Sequence, residues 1–350
     1  MSRFFLLSLL CAIFLSSCTA EAHNKVSTFN FTEAIPTKGT VLNINVDLMM
    51  PRRLFLFDDE LFLIDKYDGH HLTRISMRDM SCERMAISGN GPNEFIRIDA
   101  LYQNTENKTI CIYDNLKQVF SIYDYTRGWE FNDKTLIDNI KVLPQNKMYS
   151  LVPYKDQFVV NGIFGHQMFA LLKPDFSIMG TFGRYPGDAS LLGSYEFYLK
   201  NQTIIHTSED DRCFVAAGFY NDWLSFYHEK AGKLVLQKEY FSYDSELSTM
   251  TMSTGNATQS TCVETDKTIR AYRDICSTGN YIYVLYWGVP ALQMYNDGNE
   301  CYVFKFNYEG ELCKSYVIDG LLSTIAVDGN DEIMYAVTLA DNPQLMRYDI

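Results

Sequence analysis

Short apolar runs alternate with polar turns along most of the chain. The first such stretch contains Arg53–Phe57, Leu61–Asp65, Leu72–Met77 and Glu83–Ser88. Each run is about five or six residues long and is bounded by Asp, Asn, Gly or Ser, which is the signal of a short β-strand. The same order of four then returns. Ile98–Gln103, Thr109–Tyr113, Val119–Tyr123 and a run near Trp129 form a second copy. Met148–Pro153, Gln157–Asn161, Met168–Leu172 and Ile178–Phe182 form a third. Gln202–Thr207, Cys213–Phe219, Trp223–His228 and Leu234–Phe241 form a fourth, and Thr268–Ile275, Tyr281–Trp287, Cys301–Asn307 and Cys313–Ile318 a fifth. Second runs begin near Leu61, Thr109, Gln157, Arg212, Tyr281 and Glu332, a period of roughly fifty residues that marks a repeat architecture. No apolar stripe at helical spacing persists beyond two turns.

The sixth copy stops short. It offers Ser323–Val327, Glu332–Val337 and Leu345–Tyr348, and the chain ends. A sheet left with three strands would carry an open edge. One spare run, Val41–Val46, precedes the first copy. The pattern therefore predicts an all-β, six-bladed β-propeller over residues 41–350, its ring closed by an N-terminal strand that completes the last blade.

Strands within a blade alternate in direction, so the turns sort onto two faces. First-to-second and third-to-fourth turns share a plain face of short hairpins such as Asp58-Asp59-Glu60. Second-to-third loops and blade crossings share the other face, which holds the longer excursions 183–201, 242–267 and 287–299. Function concentrates in loops carried on a rigid scaffold. Candidate ligand-binding residues on that face are His70, His71, His166, Arg184, Tyr185, Asn221, Trp223, Trp287 and Tyr295. Aromatic faces and amides hold a glycan or peptide by stacking and hydrogen bonding; the same aromatic groups also serve simply as packing between blades. Residues 242–266, rich in Ser, Thr and Met, read as a flap or an irregular insert.

The N-terminus carries Arg3, an apolar run Phe4–Leu15, then Ser16-Ser17-Cys18. The run is too short to span a bilayer and has the shape of a secretory signal. Leu15-Ser16-Ser17-Cys18 resembles a bacterial lipobox, which implies a signal peptide 1–17, lipidation at Cys18 and a lipid-anchored linker 18–40; an ordinary signal cut near Ala20 or Ala22 is the alternative. Among the other cysteines no CxxC pair occurs, and Cys262 and Cys276 are the one local pair spaced for a possible bridge. The 350 residues carry a formal charge of −13, with no basic stripe, which argues against nucleic acid as a partner. The 14% aromatic content agrees with strands.

Ser88-Gly89-Asn90-Gly91-Pro92-Asn93-Glu94-Phe95, followed by Ile110-Cys111-Ile112-Tyr113-Asp114, resembles an NHL-type repeat with its Gly-x-Gly-x-x-Glu-Phe lead-in. Phe182-Gly183-Arg184-Tyr185-Pro186-Gly187 is a weaker copy. The lead-in glycines are expected to supply positive φ, and Phe95 to wedge between blades. The whole chain is similar to the six-bladed, TolB-like propeller lipoproteins of diderm bacteria. That resemblance implies a cell-envelope protein lipid-anchored at the outer membrane, on either its periplasmic or its outer side. No nucleophile elbow, His-Glu-x-x-His motif or phosphate loop is present. The expected function is therefore non-catalytic binding of a ligand or an envelope protein partner through the loop-rich face, without a cofactor. Two alternatives stand beside it: a metal-dependent hydrolase, lactonase-like or lyase-like, using Ca²⁺ or another divalent metal at the channel mouth, and a scaffold in an envelope complex. Three carboxylates converging on the channel would favour the enzyme, and an acid-free aromatic mouth the binder.

Overall fold

The computed structural model describes residues 25–26, 29, 31–141, 148–186, 197, 200–208, 210–242, 246–254 and 257–350. Six antiparallel sheets form six blades. The first contains Pro51–Phe57, Glu60–Tyr67, His70–Ser76 and Cys82–Ile87, paired in that order. The second contains Ile98–Asn104, Thr109–Asp114, Val119–Asp124 and Leu136–Lys141. The third contains Met148–Tyr154, Gln157–Phe164, Gln167–Leu172 and Ile178–Arg184. Thr203–Thr207, Cys213–Gly218, Trp223–Lys230 and Lys233–Phe241 make the fourth. Ile269–Ser277, Ile282–Pro290, Glu300–Phe306 and Leu312–Asp319 make the fifth. The sixth is Leu322–Val327, Ile333–Thr338 and Leu345–Asp349, completed by Thr40–Val41.

The expected closure is present but the pairing is shorter than the run. Val41 sits opposite Met346 and Thr40 opposite Arg347, and Leu42 N donates to Leu345 O at 2.9 Å. Beyond Leu42 the segment stays extended. Leu42, Ile44 and Val46 are half-buried and alternate with exposed neighbours, which is the period of a strand lying on a core. They pack on Leu48, Leu54, Leu63 and Leu345, where the last blade meets the first.

Part of the stretch read as a linker also pairs. Lys25–Val26 adds in parallel to the outer strand of the fourth blade, and Ile35–Thr37 to that of the fifth. Between them Phe29 stacks on Phe304 at 4.4 Å and lies 5.0 Å from Tyr240, bridging the two blades. One N-terminal arm thus covers three consecutive blade edges. The signal segment and Cys18 lie outside the described residues, as does the Cys262 side chain.

Blades pack through aromatic wedges. Phe169 and Phe182 of the third blade meet Phe214 and Tyr227 of the fourth. Phe95, only 2% exposed, fills the seam between the first two blades together with Phe62, Ile64, Leu101 and Ile112. Two local expectations change. The fourth strand of the second blade is Leu136–Lys141, and Trp129 lies in the loop before it, stacked on Tyr125 at 5.0 Å. Gly183 of the weaker lead-in takes the expected positive φ of 70°, whereas Gly89 and Gly91 of the first serve contact rather than handedness. Positive φ falls on Asn93, while a Cβ on Gly89 would stand 2.1 Å from the Glu94 carboxylate, whose Oε2 accepts from Gly91 N at 2.6 Å. Residues 242–266 include an extra hairpin, Ser248–Thr254 with Ala257–Val263.

Candidate functional site: an arginine-lined channel mouth

The six innermost strands surround the propeller axis, and their N-terminal ends lie on the face of the blade crossings. A cavity of ≈ 210 Å³ opens among them. The first blade contributes Arg52 and Arg53, the second Arg97 and Asp99, the third Ser150 and Leu151, the fourth Thr203 and Ile205, and the fifth Arg273 and Asp274. Four guanidiniums therefore face two carboxylates in a protein whose overall charge is negative.

Local structure places the arginines. At the end of the second strand in each of the first three blades an acceptor clamps the segment entering that blade. Asp65 accepts from Met49 N at 3.1 Å and Met50 N at 2.6 Å, immediately before Arg52. Asp114 accepts from Ile96 N at 2.7 Å and Arg97 N at 3.3 Å. Asn161 Oδ1 accepts from Ser150 N at 2.8 Å. A second device joins three blades near the axis. Asp274 accepts from Thr324 Oγ1, from Ile325 N at 3.1 Å and from its neighbour Ile275 N at 2.9 Å. Thr324 Oγ1 in turn accepts from Leu54 N at 2.8 Å, and Arg53 Nε stands 3.7 Å from Asp274 Oδ1. Burial raises the Asp274 pKa, opposed by the Arg53 charge and these hydrogen bonds.

His206 shares a hydrogen bond of 2.9 Å with Ser277 Oγ across the fourth and fifth blades. Burial, reinforced by the Arg53 charge, pushes its pKa down to about 3 from 6.5. The unfolded chain then binds the proton more readily than the folded one. The neutral imidazole's contribution is complete above pH 6.5 and is lost as pH falls towards 3. Taking the protein from pH 7.5 to pH 5 is expected to cost about 1–2 kcal/mol through this group, allowing for its half-buried position. Urea midpoints of wild type and His206→Gln at both pH values check this. A pH-dependence identical in the two proteins would refute it.

The family description TolB-like 6-blade propeller-like matches residues 30–330. The chain belongs to the TolB-like six-bladed propeller family. Solved structures agree on the fold. An exported protein of unassigned role from Bacteroides fragilis superposes with a TM-score of 0.55 at 11% identity, covering 93% of this chain and 97% of that one. A member of the duf4221 family from Bacteroides vulgatus gives 0.55 at 9%, covering 90% and 98%. The Cps50 (Swd1) β-propeller domain of Myceliophteria thermophila gives 0.52 at 9%, covering 87% and 98%. No curated protein matches the chain.

In this TolB-like propeller the residues singled out from sequence all sit on the loop-rich face or just beneath it, but none lines the cavity. His71 is buried, its Nε2 shared between Phe95 O at 2.9 Å and Ser88 Oγ at 2.8 Å, so it fastens the lead-in to the first blade. His70 Nδ1 meets Asp68 O. Trp223 is buried and donates to Glu239, and Asn221 donates to Asn201. Tyr185 donates to Gly162 O. His166 and Arg184 are exposed, and Tyr295 is 71% exposed. Trp287 is buried, donates to Leu322 O at 2.7 Å, and underlies the Arg273 guanidinium at 5.5 Å, which makes it the member of the set closest in chemistry to the mouth. The mouth is neither acid-free and aromatic nor formed by three carboxylates. Among the described residues no group of three or more His, Cys, Asp or Glu comes together as metal ligands, and no helix is long and apolar enough to cross a membrane.

Proposed function

We propose that this chain is a non-catalytic binding propeller of the bacterial cell envelope, tethered through Cys18, whose loop-rich face admits part of a glycan or peptide ligand to the channel mouth. One observation carries the reading: the cavity opens among inner strands of five blades, on the side where the long loops gather. Concave sites with a few convergent polar groups on a preformed scaffold are the usual form of a ligand site. Its ≈ 210 Å³ is below the roughly 300–1,000 Å³ that encloses a whole drug-sized ligand, so the channel takes an end group while the loops contact the remainder. The lipobox-like Leu15–Cys18 supports the envelope setting.

A screen of glycans and peptides on the purified protein tests this, with Ser150→Tyr as the variant that fills the channel from the third blade. Saturable binding to at least one ligand is expected, weakened at least tenfold by Ser150→Tyr while the thermal midpoint stays within a few degrees. Absence of any saturable ligand, or binding indifferent to the filled channel, would overturn the reading.

A further inference from the structure

The four channel arginines differ in how they are occupied. Arg53 is turned to Asp274, and Arg52 Nη2 donates to Ile98 O at 2.9 Å. Arg97 and Arg273 make no side-chain ion pair among the described residues. Arg273 Nε is enclosed and has no hydrogen-bond partner, and its guanidinium lies over the Trp287 ring, 5.5 Å from the centroid. Enclosing a cation without an acceptor is costly. Burial lowers the Arg273 pKa most; the neighbouring Asp274 charge opposes this, and Arg270, Arg52 and Arg53 add repulsion. Two carboxylates stand against four guanidiniums at the mouth, so an entering anion would relieve the excess of positive charge.

We infer that Arg97 and Arg273 at the channel mouth recognise a carboxylate group on the ligand. The inference rests on the binding reading above and names the chemistry of the ligand's buried end. A guanidinium pairs with a planar carboxylate through two parallel hydrogen bonds. The rest of the cavity suits the atoms around such a group. Asp99, Ser150 and Thr203 offer acceptors and hydroxyls, and Ile64, Leu151 and Ile205 offer aliphatic wall. A phosphate cradle is built differently, from runs of free backbone N–H groups or a helix N-terminus. At the mouth the N–H groups of Ile96 and Arg97 are taken by Asp114 and that of Ser150 by Asn161, and Asp99 on the wall opposes a doubly charged group. Both a uronic acid and a peptide C-terminus carry the required group.

Calorimetric titration of the purified protein with D-galacturonate, succinate and the tripeptide Ala-Ala-Ala, each beside its ester or amide, and with inorganic phosphate, tests the assignment and separates the two sources. At least one acid is expected to bind, at least tenfold more tightly than its neutral partner and more tightly than phosphate. Arg97→Gln and Arg273→Gln should each weaken it at least tenfold. Arg97 is exposed, so its variant keeps the test valid if the Arg273 variant folds poorly. Arg78→Gln on the plain face, where Arg78 is paired with Asp59, should change nothing. Equal binding of acid and ester, tighter binding of phosphate, indifference to Arg97→Gln, or no acid bound at millimolar concentration overturns the carboxylate assignment. A neutral glycan or amidated peptide that still binds and is lost in Ser150→Tyr would leave the binding reading standing, whereas failure of every ligand removes both.

Discussion

A chain that begins at Leu48 is expected to lose about 5 kcal/mol of folding stability and to self-associate at micromolar concentration. The figure follows from what the N-terminal arm buries. Phe29 and Phe31 lie against Tyr240, Tyr302 and Phe304, and Leu42, Ile44 and Val46 against the junction of the last and first blades. Each is more than half covered without being fully buried, so each contributes about 1 kcal/mol, below the roughly 1.5–3 kcal/mol of complete burial. The association follows from hydrogen bonding. Removing the arm uncovers the outer strands of the fourth, fifth and sixth blades, three neighbouring edges with unpaired N–H and C=O groups. Urea denaturation and sedimentation of the truncated and full chains measure both effects. A truncated protein that remains monomeric and within 1 kcal/mol of the full chain would show that the ring closes without its N-terminal strand. A milder variant separates packing from pairing: Ile44→Asn leaves the Thr40–Leu42 pairing in place and is expected to cost about 1–2 kcal/mol.

The sequence pattern exposes the blades because strand length, turn chemistry and period are local properties. Runs such as Leu61–Asp65 and Cys213–Phe219 coincide with strands to within one or two residues. The same locality explains the misplacement near Trp129. An aromatic residue between turns looks like a strand, yet this indole finds its partners in Tyr125 and Phe62 from outside the sheet. Gly89 and Gly91 are visible as turn residues, but their function depends on the Glu94 carboxylate folding back over them, a contact that no dihedral preference reveals. The channel is hardest to read. Its arginines are at 52, 53, 97 and 273, and the ring assembles them from three blades. The available signal is a charge at the entrance to, or inside, an innermost apolar run: Arg52-Arg53 before Leu54, Arg97 before Ile98, and Arg273-Asp274 inside Tyr272–Ile275. In a propeller that position points at the axis, so once the period is known such charges mark channel chemistry better than conspicuous aromatic residues in loops do. Trp223 and His71 illustrate the contrast: Trp223 donates to Glu239 within the fourth blade, and His71 fastens the lead-in to the first.

Replacing Asp65 by Ala is expected to destabilise the protein by about 3–5 kcal/mol, the range for breaking a buried ion pair from one side. The carboxylate is fully buried. Besides the two N–H groups of Met49 and Met50 it accepts from Arg84 Nη1 at 3.1 Å, and Arg84 also reaches Thr73 Oγ1 at 2.7 Å and the Asp47 carbonyl. Alanine would leave two backbone donors and a largely covered guanidinium without their acceptor. The third blade shows why an amide is an incomplete substitute. There Asn161 suffices, because its Oδ1 has one backbone donor to accept, Ser150 N. At residue 65 the acceptor must satisfy two backbone donors and balance a cation, so Asp65→Asn should recover part of the loss and remain about 1–3 kcal/mol below wild type. Asp114→Ala provides the parallel case in the second blade, where the same register position holds Ile96 N, Arg97 N, Leu116 N and Lys117 N without a buried arginine. Its cost should reflect hydrogen bonds alone and fall below that of Asp65→Ala. Losses in the order Asp65→Ala, then Asp114→Ala, then Asp65→Asn in urea denaturation would show that charge balance adds to the first clamp while the backbone donors carry its larger part; equal losses for the two alanine variants would assign the whole effect to the backbone donors.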